Sequence, residues 1–232
     1  MSLTEQLLAT TQPAKPMITH YDDAAGTRVE LSVATMANWA AKTANWLVDE
    51  FDVEPGDAVA VRLPAHWQTA AVLLGAWWCG ARVVEQAQGS RVAFVAPGSP
   101  GTGAEATAVV ALDPLGRGLS SPPTDGALDY LSEARLSGDV FRPMSPIPGD
   151  APAFESSTVD AVLSEARSRA EKAGITAADR VLSTLDWTIP DGAVGGLLTP
   201  LSVGAHLVQV TGSTDKLADR RRAEKTTVDL LG

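Results

Sequence analysis

Residues 53–84, VEPGDAVAVRLPAHWQTAAVLLGAWWCGARVV, contain the pattern that decides the fold. Pro55-Gly56-Asp57 predicts a turn, and the short apolar run that follows predicts a strand of the kind buried in parallel sheets. The apolar stretch over 66–80 predicts a helix, and Gly80 is the residue type that ends helices in the left-handed conformation. A second strand follows directly. This order of strand, helix and strand predicts two parallel strands joined by a right-handed crossover.

The residues before this stretch predict a hairpin and a long helix. Two short runs with β-branched residues flank an Asp-Asp-Ala-Ala-Gly turn within residues 17–31, which is typical of a hairpin. Residues 32–51 have helical spacing of apolar residues, with Ser32 as the predicted N-cap. Trp39 and Trp46 lie on the apolar stripe of this helix, so we expect them in the core rather than stacked on a ligand.

The same order of elements returns in residues 157–210. A helix is followed by a turn, a strand, a helix-like run and another strand. Asp179 takes the place of Asp57 in the turn, and Gly204-Ala205 takes the place of Gly80-Ala81 before the last strand. We therefore predict an α/β fold made of two similar layered units with mainly parallel strands, which arose by duplication.

A Pro-rich linker candidate divides the chain. Residues 142–152 carry four prolines in a segment without helical or strand periodicity. They predict a first unit over 1–145, which includes the hairpin, and a second unit over 146–232, with one continuous domain over the whole chain as the alternative. In the second unit, the helix-like run is predicted to break near Pro200.

Composition and charge exclude several classes of partner. The 232 residues are 45% hydrophobic, which is ample for a packed core, and carry a formal net charge of −10. Such a charge repels phosphates, so we expect no nucleic-acid or anionic-membrane binding. The basic run Arg220-Arg221-Arg222, flanked by Asp219 and Glu224, is predicted to be a solvated helix face.

The single cysteine and the N-terminus indicate the compartment. Cys79 lies among apolar residues and is predicted to be a small buried hydrophobe, because one cysteine can form neither an internal disulfide nor a cysteine-based metal site. The first 15 residues lack the basic and apolar regions of a signal peptide, and no window approaches the ~18 apolar residues of a membrane span. We expect a cytoplasmic protein.

Two segments resemble a known family, the adenylate-forming (AMP-binding) acyl-CoA synthetases and ligases. The early segment of these enzymes shows Gly-Asp, a strand ending Leu-Pro and a helix ending Trp-x-x-Gly-Ala, which correspond here to Gly56-Asp57, Leu63-Pro64, Trp77 and Gly80-Ala81. Residues 177–210 are similar to the second subdomain of the same family. The resemblance implies the N-terminal part of that fold, without its later subdomain and its C-terminal lid.

A narrower resemblance is to a small actinobacterial family of unknown function that is distantly similar to AMP-binding enzymes. Residues 28–51 and 63–78 carry it. It implies a truncated and degenerate relative of the ligases.

The resemblance also implies where a phosphate loop would lie. The ligases use ATP and Mg²⁺, and their loop is rich in Gly, Ser and Thr because backbone N–H groups must converge on anionic oxygens. The matching place here is 153–160, which has no glycine and no lysine. Ser156, Ser157 and Thr158 are either a remnant that binds a ligand at the helix N-terminus or an ordinary cap, with Ser157 at the N-cap and Asp160 at the third helical position. We favour the cap.

A second family feature is an aromatic-His segment, for which the gapless match places Ile189 at the histidine. Asp186 and Trp187 precede it at a strand's carboxyl end, where α/β sheets build clefts. These two residues either line a vestigial ligand-binding cleft or, as we favour for Trp187, pack on the neighbouring helix.

No metal site is predicted, because the three histidines lack ligand spacing. His20, His66 and His206 lie in different elements, and His66 is predicted to cap the helix that it opens. We predict no catalytic residue.

Three functional hypotheses remain at this level. The favoured one is a non-catalytic scaffold on the AMP-binding-enzyme fold, a pseudoenzyme without cofactors, that acts as a binding or partner-interaction module. The alternative is a minimal or split ATP-dependent acyl-adenylating ligase subunit that borrows parts from another chain, and only this one uses ATP or AMP. The third is a structural protein that self-associates through surface exposed by the truncation.

Overall fold

The computed structural model describes residues 1–9, 11–101 and 103–232, so Thr10 and Thr102 lie outside the described residues. The described residues form two sheets. In spatial order, the first sheet contains β7 (Leu128–Asp129), β6 (Ala106–Val109), β5 (Val92–Val95), β3 (Ala58–Arg62), β4 (Arg82–Val84), β8 (Pro152–Phe154) and β9 (Ser157–Thr158). The second sheet contains β12 (Val228–Leu230), β10 (Arg180–Ser183), β11 (His206–Thr211), β1 (Pro16–Asp22) and β2 (Thr27–Ser32). All neighbours are parallel except in the hairpins β1–β2 and β8–β9.

The helices cover the faces of these sheets. They are α1 (Leu3–Ala9), α2 (Val33–Phe51), α3 (Trp67–Trp78), α4 (Tyr130–Ala134), α5 (Val159–Lys172), α6 (Thr199–Ser202) and α7 (Leu217–Glu224). A π-helical turn, Ala193–Leu198, runs directly into α6. The predicted α/β class with mainly parallel strands is confirmed, and no helix among the described residues is long and apolar enough to cross a bilayer.

The stretch that was expected to decide the fold forms β3, α3 and β4. All residues of α3 except its last are buried, because the helix is apolar on every side and packs between α2 and the first sheet. Gly80 follows the helix with a φ of +86°, as predicted for the residue that ends it. The predicted N-cap of α2 is also confirmed, since the Ser32 hydroxyl accepts from the Thr35 N–H at 3.2 Å.

The hydrogen bonds show that two parts of the chain are built alike. We call α2, β3, α3, β4 and β5 the first repeat, and α5, β10, the π-helical turn with α6, β11, α7 and β12 the second repeat. The Arg82 N–H donates to the Asp57 carbonyl at 2.9 Å, and the His206 N–H donates to the Asp179 carbonyl at 3.0 Å. The spatial order also matches, because β3 lies between β4 and β5 as β10 lies between β11 and β12.

The N-terminal hairpin lies in the second sheet, whereas we predicted it within the first unit. β1 pairs in parallel with β11, and its residues 17–21 are all buried, so this strand needs a neighbour on each side. Conversely, β8 and β9, which follow residue 145, complete the first sheet. Each sheet therefore contains strands from both sides of the predicted boundary between residues 145 and 146. The division into two units at this boundary stays a prediction.

The run near Pro200 differs from the prediction of a break. The π-helical turn comes first, and its last bond joins the Thr199 N–H to the Val194 carbonyl. Pro200 then stands in the first turn of α6. The helix continues through the proline because the wider turn comes before it.

The core is shared between the two sheets. One apolar cluster includes Ile18 of the second sheet, Phe94 of the first sheet and Trp46 of α2. Trp46 is buried against Phe94, as predicted, and the half-buried Trp39 packs on Trp67 with ring centroids 5.7 Å apart. Both tryptophans are therefore packing residues.

Candidate functional site

The predicted serine–threonine segment lies in the β8–β9 hairpin at the carboxyl edge of the first sheet. Phe154 pairs with Ser157 and Pro152 with Thr158, so Glu155 and Ser156 form a tight turn. The turn keeps the backbone extended on both sides.

The cap of α5 is Thr158, whereas we predicted Ser157. The Thr158 hydroxyl accepts from the Ala161 N–H at 3.3 Å. Ser157 is held in the strand pair with Phe154, which moves the start of the helix one residue along the chain. Asp160 is consequently the second helical residue rather than the third.

The first turn of α5 has no N–H group left for an anion. The Val159 N–H donates to the Ala151 carbonyl and the Asp160 N–H to the Gly149 carbonyl, both at 2.9 Å, while the Ala161 N–H bonds Thr158. The preceding linker folds back over the helix start to supply the two carbonyls. These are the groups that bind phosphate at other helix N-termini, and here the protein itself occupies them.

Carboxylates surround this edge. Glu155 is largely exposed in the hairpin turn, and its carboxylate lies 4.0 Å from the guanidinium of Arg82. Glu85 is exposed directly after β4, and Asp160 stands in the first turn of α5. The local charge therefore disfavours a phosphate.

A small cleft lies between the end of β3 and the segment after β10. Its volume is about 220 Å³, and it is lined by residues 61–64, 85 and 186–189. Asp186 and Trp187 belong to its lining, whereas Ser156, Ser157 and Thr158 do not. The structure thus separates the five residues that we grouped as a candidate ligand-binding cleft, and their role as ligand-binding residues stays a prediction.

Trp187 packs on the neighbouring helix, as we favoured. It is 2% exposed. A Cβ built on Gly196 would lie 2.8 Å from Trp187 Cδ1, so the indole lies directly on the π-helical turn. Its N–H has no hydrogen-bond partner among the described residues. Asp186, in contrast, is exposed at the rim of the cleft.

Two buried histidines join the second sheet to α3. The rings of His20 and His66 meet edge to face with centroids 4.5 Å apart. His66 Nδ1 accepts from the Gln68 N–H at 3.1 Å, which confirms it as the cap of α3. Burial lowers the pKa of His20 to about 4 and that of His66 to about 3, so both rings are neutral at pH 7.

The basic run in α7 is only partly a solvated face. Arg220 forms an ion pair with the buried Asp23, and its guanidinium lies 4.2 Å from the ring centroid of Tyr21. Arg222 is exposed, as predicted. The sequence could not reveal the role of Arg220 because its partners lie in the hairpin at the other end of the chain.

Sequence reasoning also missed a buried carboxylate at the end of α7. Glu224 accepts from Arg180 at 2.6 Å, from Arg28 at 2.8 Å and from the Tyr21 hydroxyl at 2.5 Å. Burial acts to raise the pKa of Glu224, but the hydrogen bonds from Arg28 and Tyr21 lower it to about 2. This cluster fastens α7 to the second sheet.

The remaining titratable groups do not form a metal site in the part of the chain that the structure describes, where no three His, Cys, Asp or Glu side chains gather suitably. Cys79 is buried, as predicted, and burial raises its pKa to about 12, so it is an inert thiol at pH 7.

Comparison with known proteins gives one close match. No protein-family model matches the chain. The TIGR03089 family protein of Mycobacterium tuberculosis (strain ATCC 25618 / H37Rv) is 44% identical over 225 residues, which are 93% of this chain and 91% of that protein. The chain belongs to the TIGR03089 family. Because Mycobacterium is an actinobacterium, the narrower resemblance seen in the sequence is confirmed.

Solved structures show the fold of this TIGR03089 family chain in larger enzymes. The acyl-CoA synthetase of Brucella canis matches all of the chain with a TM-score of 0.82 at 15% identity, and 47% of its own length is covered. The anthranilate CoA ligase AuaEII, solved with anthranoyl-AMP, matches 99% of the chain with a TM-score of 0.74 at 14% identity, and 49% of it is covered. The benzoate CoA ligase of Burkholderia xenovorans LB400 matches 99% with a TM-score of 0.73 at 16% identity, and half of it is covered.

These matches show the fold alone. The chain spans about half the length of these ligases and has the architecture of their N-terminal portion. The resemblance to AMP-binding ligases is thereby confirmed.

Proposed function

We propose that this TIGR03089 family chain is a non-catalytic scaffold on the ligase fold that binds a partner protein in the cytoplasm and needs no cofactor. One observation carries the non-catalytic part. The first-turn N–H groups of α5, at the position of the ligase phosphate loop, already donate to Ala151, Gly149 and Thr158. A phosphate group would have to displace these bonds.

The charge of the same edge supports the proposal. The carboxylates of Glu85, Glu155 and Asp160 would face the anionic oxygens of ATP. The nearby Arg82 is itself close to Glu155, so its charge is already offset. Binding a polyphosphate here would bring its negative charge against these carboxylates.

Calorimetric titration tests the non-catalytic part. ATP·Mg²⁺, AMP, CoA and a stable acyl-adenylate mimic are each titrated into the full chain, and we expect every dissociation constant to be weaker than about 1 mM. Micromolar ATP affinity that falls severalfold in the double variant Ser156→Ala/Ser157→Ala would overturn the proposal. The matched control is Ser120→Ala/Ser121→Ala, which removes two exposed hydroxyls from a distant loop.

A split or minimal ligase subunit is the second candidate, and one observation favours it. The fold of the whole chain recurs in a ligase that holds anthranoyl-AMP. The cleft beside Asp186, at the carboxyl ends of β3 and β10, would then form part of a site completed by another polypeptide, with ATP or AMP as cofactor. Micromolar binding of the adenylate mimic would favour this candidate over the scaffold.

The partner itself is a different protein or a second copy of this chain. Leu231 is half-exposed beyond β12, at an open edge of the second sheet. Such edges can pair with another chain. Light scattering decides between the two, because a strict monomer at high concentration contradicts self-association.

A further inference from the structure

A groove lies on the first repeat, far along the chain from the edge just described. It is formed by the C-terminal end of α2 and residues 141–145, and its volume is about 550 Å³. Its lining includes the apolar side chains of Val48, Val53 and Phe141, together with Met144, which is fully exposed.

Three large apolar side chains of one short segment are exposed. Met144, which lines the groove, is fully exposed, Val140 is 69% exposed and Leu136 is 82% exposed. We refer to these three side chains together as the patch. Exposed apolar side chains beside a groove are typical of contact surfaces in soluble proteins.

The segment that carries the patch is fixed in place on α2. Asn45 Nδ2 donates to the carbonyls of Gly138 at 2.9 Å and Val140 at 3.1 Å. Lys42 Nζ donates to the Ser137 carbonyl at 2.7 Å. These bonds hold the backbone so that the apolar side chains point outward without first having to be ordered, which lowers the entropy cost of binding.

The rim of the groove is acidic. Asp49, Asp52 and Glu54 are exposed along one side, and none of them forms an ion pair with another described residue. Arg142 is the basic residue of the lining. The side chains of Asp49, Asp52 and Glu54 are therefore available to a cation from outside.

We propose that this groove docks a segment of a partner protein that carries a lysine or arginine beside large apolar side chains. The cation lies against Asp49, Asp52 and Glu54, and the apolar side chains cover Met144 and Val140. The inference rests on the proposed partner-binding function and names the chemistry of the partner. Charge complementarity at the rim selects the partner, and burial of the apolar lining stabilises the complex.

Synthetic peptides test the proposal with the full chain. The probe is a short fluorescent helical peptide with leucines on one face and lysines on the other, and anisotropy measures its binding. Two control peptides are compared with it. The Leu/Glu peptide has glutamates in place of the lysines, and the other has serines in place of the leucines. We expect micromolar binding of the Leu/Lys peptide and binding at least about tenfold weaker for the other two.

Surface variants locate the binding. Two double variants change exposed side chains of the groove: Asp49→Asn/Glu54→Gln and Val140→Ser/Met144→Ser. We expect each of them to weaken the binding of the Leu/Lys peptide about tenfold. The matched controls, Glu171→Gln for charge and Leu115→Ser for apolar surface, lie elsewhere and should leave binding unchanged.

Three results would overturn the proposal that the groove docks a partner segment. They are no saturable binding of the Leu/Lys peptide, equal binding of the Leu/Glu peptide, or equal loss of peptide affinity in the groove variants and the control variants. None of them bears on the nucleotide titration, which concerns the edge at α5. Failure of the groove therefore remains distinguishable from failure of the non-catalytic scaffold.

Discussion

The first and second repeats build the same turn before their central strand. Asp57 accepts from the Glu54 N–H at 3.0 Å, and Asp179 accepts from the Thr176 N–H at 2.7 Å. An aspartate that bonds a backbone N–H three residues earlier closes the turn and aims the strand at the sheet. Both repeats therefore have an aspartate at the position that sets the direction of the strand.

The same aspartates have different partners across the sheet. Arg91 Nε, just before β5, donates to Asp57 at 3.1 Å, whereas the Thr227 hydroxyl, just before β12, donates to Asp179 at 2.8 Å. In both repeats the hydrogen-bond donor lies just before the neighbouring strand, but it is a guanidinium in the first repeat and a hydroxyl in the second. Geometry at the strand edge is thus more constrained than residue type.

The helices after the central strands differ most. α3 is a regular helix, while its counterpart opens with a π-helical turn and continues through Pro200. A helix on a sheet needs only an apolar face and two ends in the right places, so its interior is free to change. The following predictions test which shared and which divergent features hold the two repeats together.

The largest effect should come from acid, through three buried histidines: His20 of β1, His66 at the start of α3 and His206 of β11. Burial lowers the pKa of His20 and His206 to about 4 and of His66 to about 3. The unfolded chain, with histidine pKa values of ~6.5, binds more protons than the folded chain as pH falls from that value. By pH 5 each histidine should therefore cost about 2 kcal/mol of folding free energy, measured by urea unfolding at pH 7.5 and 5.

Substitution checks the source of this acid sensitivity. His20→Gln and His66→Asn remove a titrating ring, and the asparagine can still cap α3. Each variant should unfold with a flatter pH dependence than the original chain. A urea midpoint that is the same at both pH values in the original chain would refute the assignment.

The close crossing of α2 and α3 should be the next most sensitive feature. A Cβ on Gly75 would lie 2.4 Å from Thr43 Cβ, a branched side chain that has little room to move. We expect Gly75→Ala to cost about 2–3 kcal/mol through overpacking.

The second repeat supplies the control for that crossing. A Cβ on Gly195 would have ordinary contacts, 3.5 Å to Arg169 and 3.8 Å to Leu185. Gly195→Ala should therefore be neutral or slightly stabilising in the same unfolding measurement. Equal losses for the two variants would show that the packing described for the first repeat is wrong.

The two turn aspartates should differ in a predictable direction. Asp179 accepts from the Thr176 N–H, the Thr176 hydroxyl and Thr227, whereas Asp57 accepts from one backbone N–H and Arg91. We expect Asp179→Ala to cost about 2 kcal/mol and Asp57→Ala about 1 kcal/mol in urea unfolding. The reverse order would contradict the hydrogen-bond assignment.

The smallest effect distinguishes neighbouring residues at the start of α5. Thr158→Ala should cost about 1 kcal/mol because it removes the N-cap, and Ser157→Ala should stay within about 0.5 kcal/mol. Thermal unfolding of both variants measures this. If Ser157→Ala lowered the stability more than Thr158→Ala, then Ser157 would be the N-cap, as the sequence predicts.

The sequence was sufficient for features that depend on nearby residues. The turn at Asp57, the glycine end of α3 and the cap at Ser32 are each set within a few residues, and all three are confirmed. The second copy of the pattern was found because Asp179 and Gly204 recur at similar offsets.

Features that depend on distant pairing were not predictable. The hairpin was assigned to the first unit because nothing local shows that Ile18 pairs with Leu207. The cap of α5 was misplaced by one residue because Ser157 is held by Phe154 in a strand pair. At the candidate site, Trp187 was placed correctly against its helix, but its separation from Ser156 depends on how the two sheets pack.

The central claim is that the start of α5 is closed to phosphate by the chain itself. Two-dimensional NMR of the ¹⁵N-labelled protein, titrated with ATP·Mg²⁺, tests it at the amides of Val159, Asp160 and Ala161. We predict no saturable shift of these three signals at nucleotide concentrations of several millimolar. Saturable shifts with a dissociation constant in the micromolar range, confined to these amides and their neighbours, would contradict the claim.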